Sequence, residues 1–359
     1  MTPPSEAALE RGLEWLALNQ GPQGNWESND LGLVSMGALA FLASGHAPGR
    51  GRHGDVVQKA LDYVLDNAKP SGLLNQATAQ RDMYNHGLST FVLGQTYGMT
   101  TTTDQRLSKT LDQALRLIVA TQADDGGWGY QARRSTAGHD LSLAVMQAKA
   151  LRSAMDSGLE VPPEVIELAI DSVRAHYAPA DGQRRAPEAQ QRRQPGHFTY
   201  GRSGSGESVA MAAAGVVCLQ EFGQYDDWRI EKNMEMIGRH ATALPPRPPR
   251  RDGSMPFDAY TLYYVGQAIY QVGGVDWQKN YPRLRDYLIA SQHLEPGAKD
   301  KHGVWHDVGA NKGGRVSGKP GDLYATSVAC FFLAIPNRYL PILQEGKIES
   351  LKGQFGGNR

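Results

Sequence analysis

The sequence predicts an all-α chain, six helix pairs closed into one (α/α)6 toroid of six inner and six outer helices. The toroid spans 5–343 and is followed by a flexible tail over 344–359. Three observations predict this. A Gln-x3-Gly-x-Trp layout recurs in order along the chain, and self-similarity of this kind marks a repeat architecture. Six apolar, small-residue segments have the spacing of helices buried on all sides. No segment shows the period-two alternation of a strand.

The first copy, RGLEWLALNQGPQGNW over 11–26, carries Arg11-Gly12, Trp15-Leu16, Gln20, Gly24 and Trp26. The second, QALRLIVATQADDGGW over 113–128, places Gln122, Gly126 and Trp128 in the same layout. The third, over 283–305, has Tyr287-Leu288, Gln292 and, after a longer insertion, Gly303 and Trp305; a degenerate copy, KALDYVLDNA, begins at Lys59. Inner helices are expected over 31–44, 83–97, 141–155, 208–222, 259–271 and 323–335. Amphipathic partners such as 55–67 and 107–121 form the outer layer.

When the inner helices are aligned, an acid stands at each N-terminus: Asp30, Asp82, Asp140, Glu207, Asp258 and Asp322. Eleven residues on comes Phe41, Leu93, Leu151, Cys218, Ile269 or Leu333, always apolar. The acids are expected to ring one mouth of the barrel. Capping is sufficient reason for Asp at a helix start; it does not exclude chemistry there.

With 37 Lys+Arg against 37 Asp+Glu the chain has zero formal charge, which argues against a general nucleic-acid binder. Cys218 and Cys330 stand alone in apolar runs and read as core residues, not as a disulfide or zinc pair. No signal peptide or membrane span is visible, so the expected compartment is the cytoplasm, or an exported one if a leader precedes Met1. No cofactor fingerprint is found: no phosphate loop, no HExxH and no GxSxG.

The Gln-to-Trp copies resemble the QW motif of squalene–hopene and oxidosqualene cyclases, and the six-pair layout resembles protein prenyltransferase β subunits. MYNHGLSTFVLGQTYGM (83–99), GHDLSLAVMQAKALRSAMDSGLEVP (138–162) and NRYLPIL (337–343) are similar to single-domain prenyltransferase/squalene oxidase repeat proteins of planctomycetes. The resemblance implies the toroid and an isoprenoid-handling cavity. It also identifies what is missing. The Asp-x-Asp-Asp of class II cyclases is met by Ala137-Gly138-His139-Asp140, which keeps only the last acid. The prenyltransferase zinc set is met by Asp258, Tyr260 and Ala325, one ligand of three, so no metal is expected. Tyr264 and Tyr324 match positions where that family places pocket aromatics, and Tyr84, Phe257, Tyr260 and Tyr263 add aromatic surface near the same helix starts.

Other constellations are weaker. Asp226-Asp227 looks like a metal–diphosphate motif but falls on the face opposite the acid ring, and Asp124-Asp125 lies in a repeat turn. His86 follows Asp82 by one helical turn, so the two are expected to share a lumen-facing side and could do acid–base work. The loops entering the inner helices hold 17 Lys/Arg and 9 Asp/Glu outside the ring, a net of +8, with Arg133, Arg134, Arg184, Arg202, Arg247 and Arg250 among them. Such a rim suits a phosphate or diphosphate headgroup.

The leading expectation is therefore a protein that binds, and if catalytic transforms, an isoprenoid or other lipid with an anionic headgroup. Asp140, or Asp82 with His86, would donate the proton. Asp258, Tyr260, Tyr264, Asp322, Tyr324, Arg133, Arg134 and Arg202 would bind substrate. The alternatives are a non-catalytic binding scaffold and a glycan-active toroid using two ring carboxylates.

Overall fold

A helix enclosed on all sides needs apolar residues round its whole circumference, and small ones where neighbours come close. The computed structural model describes residues 1–99, 105–204, 206–245, 251–307 and 319–344. Its inner helices are α2 (Leu31–Ala43), α4 (Asp82–Thr96), α6 (Leu141–Asp156), α9 (Val209–Glu221), α11 (Ala259–Val272) and α13 (Lys319–Ala334). Every residue of α2 is buried. Five of the six match the expected spans to within one residue; α13 starts four residues early, because Lys319-Pro320 forms a first turn where proline is tolerated.

The outer helices are α1 (Pro3–Asn19), α3 (Gly54–Asp66), α5 (Gln105–Thr121), α7 (Pro163–Ala175), α10 (Arg229–Ala243) and α12 (Gly274–Ser291). They bury a single stripe: in α5 it is Leu107, Leu111, Ala114, Leu115 and Ile118. Each inner helix packs on the next, α2 on α4, α4 on α6, and so round to α13, which returns to α2 and closes the ring. A one-turn helix α8 (Glu188–Gln191) lies between two short strands, β1 (Tyr177–Pro179) and β2 (Gly196–Phe198). These pair antiparallel with Ala178 opposite His197. Three residues per strand are too few to leave a period-two pattern in the sequence.

The repeat motif acts as a clamp, and it does so identically in all three copies. The Gln20 amide donates to Gly24 O (3.2 Å) and to Val56 O (2.9 Å), tying the end of α1 to the start of α3. Gln122 bonds Gly126 O and Val165 O at the α5–α7 junction, and Gln292 bonds Gly303 O and Ala8 O at the α12–α1 junction. Each tryptophan returns its indole N–H to its own outer helix: Trp26 to Leu16 O, Trp128 to Ile118 O, Trp305 to Leu288 O. The motif glycines have φ of +85°, +81° and +95°, and a Cβ there would meet the carbonyl oxygen of Lys59, Leu168 or Arg11 at 2.4, 2.0 or 2.5 Å. Glycine is required twice over, by conformation and by the approach of the next helix.

At the opposite end the barrel is closed by residues 335–343. Ile342 N donates to Gln95 Oε1 (3.1 Å), Tyr270 donates to Leu343 O (2.6 Å), and Leu340, Ile342 and Leu343 are buried. From residue 345 on, the expected tail lies outside the described residues.

Gly126→Ala is expected to cost about 3 kcal/mol or more, since it combines left-handed strain with a clash against backbone. Gly223→Ala, at φ +72° with nothing within 4 Å of the added carbon, should cost only about 1 kcal/mol. Urea unfolding of the two variants checks the difference.

Candidate functional site

All six inner helices begin at one end of the barrel, so their first turns converge on a common space. There the structure has a cavity of about 770 Å³. Leu33, Leu88, Met146, Val209, Ala210 and Met211 supply its apolar wall, and Tyr84, Tyr130, Tyr200, Phe257, Tyr260 and Tyr324 its aromatic wall. Asp30, Arg81, Asp258 and Asp307 are its charged members.

Asp140 caps α6. Its Oδ1 accepts from Ser142 N (3.0 Å), from Leu143 N (3.3 Å) and from the Ser142 hydroxyl, and its Oδ2 accepts from the Tyr130 hydroxyl. Tyr130 lies 3.1 Å from the Tyr200 hydroxyl, and Tyr84 bonds Ser142. Burial, with the neighbouring tyrosine and Asp140 charges, raises the Tyr84 phenol far above its ordinary range; burial and the hydrogen bond to Asp140 do the same for Tyr130. Both phenols are therefore neutral at physiological pH. Asp140 itself does not line the cavity; it reaches it through these hydroxyls.

The six acids do not form a uniform ring. Asp30, Asp140 and Asp258 cap their helices through backbone N–H groups. Asp82 is the first residue of α4 and caps nothing; it accepts from Asn75 Nδ2 (2.7 Å) and Ala132 N (3.2 Å), joining two entry loops. Glu207 is exposed, and the cap of α9 is Ser208. Asp322 sits inside the first turn of α13 and bonds His306 at 2.7 Å, which raises the imidazole pKa.

Asp82 and His86 do not meet at the lumen. His86 is fully buried, its Nδ1 accepting from Leu74 N (3.2 Å) and its Nε2 facing Ala114 O (3.0 Å) on α5. Tyr260 and Tyr324 line the cavity, and Tyr264 lies one turn deeper, its ring edge-on to Tyr260 at 4.9 Å between centroids. Asp258 also takes the Thr261 hydroxyl at 2.9 Å. The rim arginines are tied into their own loops: Arg134 to Asp124 (2.9 Å), Arg202 to Asp125 (2.7 Å) and to Ser172 (2.8 Å), and Arg184 to Tyr177 O (2.9 Å). Arg133 is exposed and stands outside the cavity lining. Arg247 and Arg250 lie outside the described residues. Among the described residues Arg81 is the one Lys or Arg of the lining, and it pairs with Asp30 at 3.4 Å.

Three cavity-lining positions escaped sequence reasoning. Tyr130 and Tyr200 come from loops 10 and 60 residues from Asp140, and Asp307, which accepts from Ala259 N (3.3 Å), comes from the insertion of the third repeat. The single local signal was Tyr130, two residues beyond the motif tryptophan.

Asp226-Asp227 stands away from the cavity, with Asp227 held by Arg174 (2.9 Å) and Arg229 (3.0 Å). Among the described residues no group of three or more His, Cys, Asp or Glu could hold a metal ion, and no helix is long and apolar enough to cross a membrane.

Fold and cavity define an (α/α)6 toroid with a pocket at the helix N-terminal end. No protein-family model matches the sequence, and no curated protein does. Solved structures do match in shape. An inactive variant of the α-1,6-mannanase GH76A of Salegentibacter sp. HEL1_6, in complex with α-1,6-mannotriose, has a TM-score of 0.55 at 9% identity, over 95% of this chain and 100% of that one. A point variant of the type II terpene cyclase MstE from Scytonema, in complex with geranylgeranyl dihydroxybenzoate, has 0.55 at 10% identity, over 92% of this chain and 97% of that one. A protein from Actinoplanes has 0.54 at 13% identity, over 92% and 98%. These likenesses establish the toroid, which both glycan-active and terpenoid enzymes use.

His86 and His176 are both lowered to a pKa of about 4, burial being the main cause in each. A depressed histidine contributes stability above its unfolded pKa of about 6.5, and that stability is lost as pH falls towards 4. The unfolding free energy should therefore drop between pH 7 and 4.5, with His86→Gln removing about 2–3 kcal/mol of the drop. An unchanged pH slope in that variant would contradict the assignment.

Proposed function

We propose that this protein binds an isoprenoid or similar apolar chain in the cavity at the inner-helix N-termini. The observation that carries the reading is the lining: six aliphatic or thioether side chains and six aromatic rings enclose a space within the usual range for small-molecule pockets. Tyr260 and Tyr324 belong to that aromatic wall, Tyr264 backs Tyr260 from one turn deeper, and Asp258 lines the cavity with them. The terpene cyclase neighbour, which holds a prenylated substrate on the same fold, lends support at the level of architecture alone. Of the three acid–base candidates, Asp140 bonds a cavity-lining hydroxyl directly, that of Tyr130; Asp82 reaches the lining residue Asn85 through Asn75, and His86 serves the α4–α5 junction. With Arg134 and Arg202 paired to aspartates, the headgroup end is better suited to a neutral polar group than to a diphosphate.

A second reading, a glycan-active toroid, draws on the carboxylates Asp30, Asp258 and Asp307 at the cavity edge. The mannanase variant described as inactive has two consecutive aspartates replaced. In this chain the consecutive aspartates Asp124-Asp125 and Asp226-Asp227 lie outside the cavity lining, three of the four in ion pairs with arginine. That leaves the second reading without a matching pair.

Calorimetric titration with farnesol and with α-1,6-mannotriose separates the two. Farnesol is expected to bind and mannotriose not, and Ala210→Trp, which fills the cavity, should weaken farnesol at least about tenfold. Mannotriose binding without farnesol binding would overturn the proposal.

A further inference from the structure

The polar corner of the cavity has a direction. A carboxylate has no hydrogen to give, and Asp140 accepts at both oxygens: Ser142 spends its hydroxyl hydrogen on Oδ1 and Tyr130 spends its own on Oδ2. A hydroxyl carries one hydrogen, so Ser142 and Tyr130 can then only accept from the next group outward. Tyr84 is hydrogen-bonded to Ser142, and Tyr200 lies 3.1 Å from Tyr130. Two chains result, Tyr84 to Ser142 to Asp140 and Tyr200 to Tyr130 to Asp140, and in both every hydrogen points towards the carboxylate.

The heads of the two chains are the Tyr84 and Tyr200 oxygens, 3.5 Å apart, both on residues that line the cavity. Their hydrogens are committed. The Ser142 hydroxyl also lies 3.5 Å from the Tyr200 oxygen, a long contact that still leaves lone pairs open on both phenols. We propose that Tyr84 and Tyr200 form a hydrogen-bond-accepting subsite for a donor group of the ligand, an alcohol hydroxyl, with Asp140 setting its polarity from one residue behind. This deepens the reading of the cavity as an apolar-chain site and rests on it.

The arrangement is pre-organised. Tyr200 is 48% exposed, yet its backbone is fixed, its carbonyl accepting from Leu141 N (3.0 Å) at the first residue of α6. The preceding residue is held as well, with Thr199 N donating to His176 O (3.0 Å). One carboxylate thus caps the helix, orders two loops and orients four hydroxyls. Asp140 is a positioning residue here; Tyr84 and Tyr200 touch the ligand.

The test uses farnesol and farnesyl methyl ether, which share a chain and differ in that the ether can accept but not donate. The unmodified protein should bind the alcohol about tenfold more tightly. A Tyr84→Phe/Tyr200→Phe double variant should bring the ratio close to one while keeping the ether's affinity. Asp140→Asn retains a good helix cap, but its amide donates to Tyr130, so that Tyr130 turns its hydrogen to Tyr200 and frees the hydrogen of Tyr200 for the ligand. Ether affinity should then rise and the ratio fall, an effect that a merely structural role for Asp140 would not produce. Circular dichroism checks folding, and if Asp140→Asn unfolds, the double variant decides. Equal binding of both compounds by the unmodified protein, or a tenfold ratio that survives the double variant, would overturn the subsite and leave the cavity reading standing. Binding of neither compound would overturn both.

Discussion

The ring depends on one interaction, the glutamine amide that fastens each motif turn to the start of the next outer helix. Its most consequential instance joins Gln292 to Ala8 O, residues 284 apart in sequence, at the junction where the end of the chain meets its beginning. Closing a loop of that length is entropically costly only in its logarithm, so two well-placed hydrogen bonds and a buried tryptophan suffice to hold the register. With three outer junctions pinned in this way, and each inner helix packed on the next, the inner helices are held in one closed ring. Their N-termini then converge, and a cavity exists because they converge without quite filling the space. At the degenerate junction Ala68 and Leu74 replace glutamine and tryptophan, while Gly72 still lies against Gln113 O. There His86 supplies the missing polar tie, reaching across from α4 to Ala114 O. A histidine that looks like a candidate base from its spacing is the substitute staple of the degenerate copy.

The fold was legible because its rules are periodic. Buried helices announce themselves by composition, and the clamp requires the same three residue types at the same offsets wherever it occurs. The site was half legible. Asp140 stood out because a cap must precede its helix, and Tyr260 and Tyr324 because they stand near inner-helix starts, two residues after Asp258 and Asp322. Tyr130, Tyr200 and Asp307 were hidden, since loop residues are brought to the cavity by tertiary contacts that leave no period in the sequence. The expectation of six equivalent acids failed for the same reason in reverse. Any polar residue that accepts a hydrogen bond can cap a helix, and Ser208 does so for α9 next to an acid, Glu207, that pairs with Arg239 instead.

Electrostatics inverts the impression given by counting charges. The entry loops are basic in sum, but Arg134, Arg184 and Arg202 are spent on aspartates and backbone carbonyls that hold those loops in shape. Charge that is consumed in building a mouth is not available to a ligand passing through it. What faces the cavity among the described residues is hydroxyl and carboxylate oxygen, the amides of Gln80 and Asn85, the His240 imidazole and the Asp30-paired Arg81, over aromatic and aliphatic carbon. That surface supports the proposal of a ligand with a long apolar body and a modest polar tip.

The segment 335–343 seals the end of the barrel away from the cavity, with Ile342 anchored to Gln95 and Leu343 to Tyr270. A tube sealed in this way works like a test tube rather than a pipe. Whatever enters must leave by the same opening and in the reverse order, so the part of a guest that goes in first comes out last. Polymers cannot be fed through, and a guest longer than the barrel is deep has to fold back on itself or leave its excess outside the mouth.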